Sequence, residues 1–147
     1  MKTVKDLLTG QELSVISKNE TVLEAAQLMA SRNIGAVPVV EGSHVVGIFS
    51  ERDIMVRVVA KNLSPNTTKV EQVMTKDLIV ASPEETVEEV ERKMRVANIR
   101  HLPIISSDKL VGMLSLRDLL QADLNEKDEE IKIMTAYIHY IPPTFES

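Results

Sequence analysis

The stretch "GIFSERD", residues 47–53, returns as "GMLSLRD" at residues 112–118. In both, a glycine and two apolar residues lead to Ser, one variable residue and Arg-Asp. That is the pattern of a strand that runs straight into a helix. Sliding the chain over itself by 65 residues aligns 15–55 with 80–120 without a gap, and fifteen of the 41 positions are identical. Upstream, "VKDLL" at 4–8 echoes "VEQVM" at 70–74 with a shift of 66. Such self-similarity marks a tandem duplication.

Periodicity resolves one unit into elements. "LSVIS" and "LIVAS" are short strand-like runs, and "TVLEAAQLMASRN" carries apolar residues at 22, 25, 26 and 29, one face of a helix. Thr21 with Glu24, and Thr86 with Glu89, have the spacing of capping boxes. "AVPVV" and "HVVGIF", separated by "EGS", form a hairpin signal, and "SERDIMVRVVA" follows as a second helix. The order β-α-β-β-α therefore occurs twice, an α/β (α+β) architecture. The expected organisation is repeat 1 at 1–60, a polar linker at 61–69, repeat 2 at 70–124, and a C-terminal helix and tail at 125–147. A unit of this size cannot cover its own apolar faces, so the two are expected to pack together, sheet to sheet.

In the terminal segment Ile131, Met134, Ile138 and Ile141 recur at helical spacing before Pro142 and Pro143. Two readings stand: a helix folded back on its own module, or a narrow seam for a second copy.

Composition bounds the function. A net charge of -5 argues against a nucleic-acid or acidic-membrane partner. There is no Cys, hence no disulfide, thiolate metal site or Cys nucleophile. The start lacks the apolar run of a signal peptide, and no stretch approaches the roughly 18 apolar residues of a membrane span. A cytoplasmic protein is the expectation. His44, His101 and His139 have no ligand-like spacing, and neither a phosphate-loop nor a nucleophile-elbow motif occurs, so neither a metal site nor catalysis is expected.

The repeated turn allows two readings. Ser50 with Asp53, and Ser115 with Asp118, have the Ser-x-x-Asp spacing of a helix cap, which by itself explains both pairs. Yet these turns carry Asp where the other helix starts carry Glu. A shorter carboxylate is expected to be the poorer reciprocal cap and to suit a ribose diol, as acidic residues do in nucleotide sites. Arg100 and His101 open a strand in the second copy, where the first has Gly35 and Ala36. If phosphate finds its cation locally, one charge-assisted Arg contact of roughly 1.5–3 kcal/mol makes the second site the tighter one, tenfold or more.

With the duplicated unit, the strands "GAVPVV" and "RHLPII", and the paired turns in register, the chain resembles a tandem pair of CBS domains, the Bateman module, over about residues 1–124. The resemblance implies a flat disc with two clefts for adenosine ligands. AMP is the preferred ligand, with NAD, ADP, ATP and S-adenosylmethionine as alternatives. It places Ser50, Arg52 and Asp53 at one cleft and Ser115, Arg117 and Asp118 at the other. Ser17 and Ser82 fall at adenine-side strands. Gly35, Ala36 and Pro38, and Arg100, His101 and Pro103, fall on the strands lining the clefts. Arg57 resembles a second phosphate-side cation; its plainer reading is a solvated helix face. The resemblance also implies a homodimer and an effector protein that reads the bound state, with no catalytic step. The alternatives are a ligand-free interaction module whose turns are only caps and, more remotely, an enzyme that consumes nucleotide.

Overall fold

A computed structural model of the chain describes residues 2–139; Ile141, Pro142 and Pro143 of the terminal stripe lie outside the described residues. The elements are α1 (Val4–Leu7), β1 (Ile16–Ser17), α2 (Val22–Arg32), β2 (Ala36–Glu41), β3 (His44–Ser50) and α3 (Glu51–Asp53), which continues as a π-helical segment over Ile54–Val59. Then come α4 (Val70–Val73), α5 (Val87–Ala97), β4 (His101–Ser106), β5 (Lys109–Ser115) and α6 (Leu116–His139).

The repeated residues recur because each half solves the same local problems. Asn33 and Asn98 end α2 and α5 in the left-handed conformation, φ 53° and 55°, so that the next amide, of Ile34 or Ile99, donates back to Met29 or Met94. Thr21 and Glu24 close a full capping box, whereas at Thr86 only the threonine accepts from Glu89 N–H. The expected second box is thus half formed, because the Glu89 side chain is exposed and does not return to the Thr86 amide.

β1, β2 and β3 make one sheet, β1 parallel to β2 and β2 antiparallel to β3; β4 and β5 make the other. The expected strand "LIVAS" is reduced to a single parallel bridge, Ala81 to Ile104. In the first half Lys18 N–H extends the ladder to the Val40 carbonyl at 3.1 Å. The equivalent position is Pro83, which has no N–H to give.

The leading segment of each copy completes the other copy. Val4 N–H donates to Glu85 O and Val87 N–H to Lys2 O, at 2.9 and 3.2 Å. In the mirrored place, Val70 N–H donates to Glu20 O and Val22 N–H to Thr68 O, at 2.8 and 2.9 Å. Burial follows this exchange. Val70, Val73 and Met74 join Ile16, Val22, Val37, Val39 and Phe49 in one core, while Val4 joins Val90, Met94, Leu102, Ile104 and Leu114 in the other.

The glycines of the repeated motif sit at these crossings. A Cβ on Gly47 would lie 2.5 Å from the Met74 sulfur and 2.9 Å from the Thr75 carbonyl. On Gly112 it would lie 2.5 Å from Leu8 Cδ2 and 2.9 Å from Gln11 Oε1.

The second helix of repeat 2 and the terminal helix, read from sequence as separate elements, are one continuous α6 of 24 residues. Nothing from Leu116 to His139 is Gly or Pro, so nothing ends it. Ile131 and Met134 are 60% and 62% exposed, so these turns do not fold back onto the module.

Candidate functional site

The Ser-x-Arg-Asp turns stand at the ends of β3 and β5, across from the first residues of β2 and β4. Ala36 pairs with Ser50 and His101 with Ser115. One residue on, Glu51 N–H donates to the Gly35 carbonyl at 2.9 Å, and Leu116 N–H to that of Arg100 at 2.8 Å. Backbone pairing therefore gathers Gly35, Ala36, Ser50 and Asp53 at one place, and Arg100, His101, Ser115 and Asp118 at the other. Arg52 and Arg117 are exposed beside their turns.

Both turns are reciprocal caps. Asp53 Oδ2 accepts from Ser50 N–H at 2.9 Å while Asp53 N–H donates to Ser50 Oγ at 3.2 Å. The matching distances for Asp118 and Ser115 are 2.9 and 3.0 Å. Asp, expected to be the poorer reciprocal cap, closes both turns as the Ser-x-x-Asp spacing predicts. Capping accounts for one carboxylate oxygen of each.

The second oxygen distinguishes them. Asp53 Oδ1 accepts from Thr75 Oγ1 at 3.2 Å and faces Arg57 Nε at 3.7 Å, and the residue is only 7% exposed. Asp118 is exposed, and its Oδ1 has no hydrogen-bond partner among the described residues. Arg57 is itself held: its Nη1 donates to Met74 O at 2.8 Å and Val73 O at 3.3 Å, closing the C-terminal end of α4. It is thus neither a bare solvated side chain nor an unengaged cation.

Electrostatics link the two halves. His101, half-buried, has its pKa lowered, chiefly by burial and further by Arg100, while Glu51 and Asp118 pull it upward. The influence of Glu51 brings the turn of the first half to the strand start of the second. Glu51 also fills the space over Gly35, where a Cβ would stand 3.2 Å from its Oε1. At neutral pH the cation of this strand start is therefore Arg100, exposed, and not the imidazole.

Ser17 and Ser82 are half-buried, and each N–H donates to a carboxylate three residues on, Glu20 at 2.8 Å and Glu85 at 2.6 Å. Pro38 and Pro103 are buried in their strands opposite Ile48 and Met113. Elsewhere between the halves, a cleft of about 410 Å³ is lined by His44, Val45, Leu78, Val80, Ile105 and Asp108. None of these belongs to a Ser-x-Arg-Asp turn. Among the described residues no His, Asp and Glu cluster could hold a metal ion, and no helix is long and apolar enough to cross a membrane.

Sequence reasoning missed Glu51, Thr75 and Gln11. Glu51 occupies the variable position of the turn, where the second copy has Leu116. Thr75 lies one residue past the loose upstream echo of 4–8 and 70–74, at the place that Thr9 holds in the first copy.

Comparison with known proteins agrees with this architecture. The CBS domain model matches residues 4–60 and 70–125. The CBS domain-containing protein YhcV of Bacillus subtilis is 39% identical over 119 residues, covering 81% of this chain and 84% of that one. Among solved structures, the CBS-domain containing protein ATU1752 from Agrobacterium tumefaciens superposes with a TM-score of 0.77 at 29% identity, covering 83% of this chain and 99% of that one. The CBS domain pair of protein MJ0100, solved in complex with 5'-methylthioadenosine and S-adenosyl-L-methionine, also gives 0.77, at 27% identity, covering 86% and 98%. With two such domains in tandem, the chain belongs to the CBS-domain family.

Proposed function

We propose that this CBS pair is a regulatory, non-catalytic module that takes an adenosine ligand at the turn formed by Ser115, Arg117 and Asp118. The observation that carries this reading is the open Oδ1 of Asp118, an exposed carboxylate oxygen fixed in position by its cap, in the turn whose Leu116 N–H pairs with the Arg100 carbonyl. Such an oxygen can accept from a ribose hydroxyl without breaking a protein hydrogen bond, so ligand binding costs no cap. The complex of the related MJ0100 pair with 5'-methylthioadenosine and S-adenosylmethionine supports the adenosine class. With only Arg100 and Arg117 as cations beside a neutral imidazole, few phosphates are favoured, so AMP is preferred over ADP and ATP, with NAD and S-adenosylmethionine as alternatives.

The output runs through α6. Its first turn is the ligand turn, and its 24 residues extend about 36 Å to an exposed apolar stripe. Met55 and Val59 of the first half, and Leu120 and Leu124 at the equivalent positions of the second, are exposed as well. Exposed apolar residues of this kind on both halves suit a second copy, hence a homodimer whose geometry the ligand biases and an effector protein reads.

Thermal-shift measurements with AMP, ATP, NAD, 5'-methylthioadenosine and S-adenosylmethionine test the ligand class. At least one should raise the midpoint saturably in the wild type and not in Asp118→Ala. A second reading, a ligand-free interaction module, is favoured by the closed caps, which already account for every Ser and Asp of the motif. No shift with any ligand, in protein free of copurified nucleotide, selects it.

A further inference from the structure

We infer that the two clefts are unequal by construction: Thr75 and Arg57 lock Asp53 as an internal carboxylate, leaving Asp118 as the one open to a ligand diol. This inference rests on the adenosine-binding reading and goes beyond it by assigning the residues that close the other cleft.

Both locking groups are specific to the first half. Thr75 reaches Asp53 because its backbone pairs with β3: Ile48 N–H donates to Thr75 O at 2.9 Å, and Thr75 N–H to Ile48 O at 2.8 Å. That pairing lays the hydroxyl 3.2 Å from Asp53 Oδ1. The matching residue of the other leading segment is Thr9, but there the chain turns away at Gly10, φ 77°. The Gln11 side chain then does the pairing in place of a backbone: Nε2 donates to Met113 O at 2.6 Å and Met113 N–H to Oε1 at 3.1 Å. Thr9 is exposed and makes no hydrogen bond to Asp118.

Arg57 likewise has no counterpart, since the position 65 residues on is Ala122. A ligand hydroxyl at Asp53 would have to displace the Thr75 hydroxyl and enter a nearly closed site. At Asp118 it displaces only water. Thr75 is thus a specificity-determining residue for the number of ligands bound.

The test combines calorimetry with thermal denaturation. Titrated with AMP, S-adenosylmethionine and 5'-methylthioadenosine, the wild type should bind one ligand per chain, and Thr75→Ser should do the same. Thr75→Val, which keeps the shape but removes the hydroxyl, should show a second, weaker event. Without ligand, Asp53→Asn should lower the melting midpoint by about 4 °C or more, and Asp118→Asn by less than half of that. Two equal sites in the wild type, one site retained in Thr75→Val, or equal midpoint losses for the two Asn variants would each overturn the inference. Absence of binding to all three probes would instead remove the adenosine reading, and the pair of midpoints would still decide whether Asp53 is locked.

Discussion

Gly47 and Gly112 each lie where a strand of one half meets the leading segment of the other, with no room for a methyl group. Gly47→Ala sets a carbon against a backbone carbonyl that cannot step aside. Gly112→Ala meets the ends of Leu8 and Gln11, which can yield. Chemical denaturation should therefore show Gly47→Ala destabilised by roughly 1–3 kcal/mol and Gly112→Ala by less. The repeat made both glycines visible, but not their reason, since the contacts come from residues 27 or more positions away in sequence. The His101 imidazole makes the fold sensitive to acid. Its folded pKa lies below the ordinary value of 6.5, so the neutral ring is the form the fold favours. Its contribution to stability is fully present above pH 6.5 and is lost as pH falls through the folded value. Relative to His101→Gln, the wild type should lose melting temperature on acidification below pH 6.5. A parallel course for the two proteins would show that burial exerts no such effect.

Among the elements, helix starts were the most legible, because a cap is a local signal. Thr21 and Glu24, Ser50 and Asp53, and Ser115 and Asp118 all cap as their spacing predicts. Ser115→Ala should cost about 1 kcal/mol, read as a shifted urea midpoint at unchanged slope. An unshifted midpoint would mean that α6 draws nothing from its cap. Less legible were elements whose extent depends on partners. The first strand of the second half shrinks to one bridge because Pro83 cannot donate. The helix after Asp53 widens into i→i−5 bonding, Ala60 N–H to Met55 O at 2.9 Å and Leu63 N–H to Val58 O at 3.0 Å. No spacing in "IMVRVV" announces that widening.

At the scale of the molecule, the duplication predicted two similar halves but not their exchange of leading segments. The two strips that cross, 2–11 and 68–75, carry only a faint sequence echo. The crossing makes the halves interdependent, and it also makes them different, through Thr75 on one side and the turn at Gly10 on the other. Outside the halves, the stripe continues along α6 from Leu120 and Leu124 to Ile131 and Met134. Light scattering should report a dimer of the 16.4 kDa chain, and Ile131→Asp with Met134→Asp should shift it toward monomer. A wild type that is monomeric at high concentration would leave that surface to another protein.

The most direct test of the account is isothermal titration of AMP into the wild type and into Asp118→Asn, which keeps the shape and the cap's acceptor while removing the charge. The account predicts saturable binding by the wild type and at least a tenfold loss in the variant, the scale of one charge-assisted hydrogen bond. Equal affinities in the two proteins would contradict it and leave Asp118 as a helix cap alone.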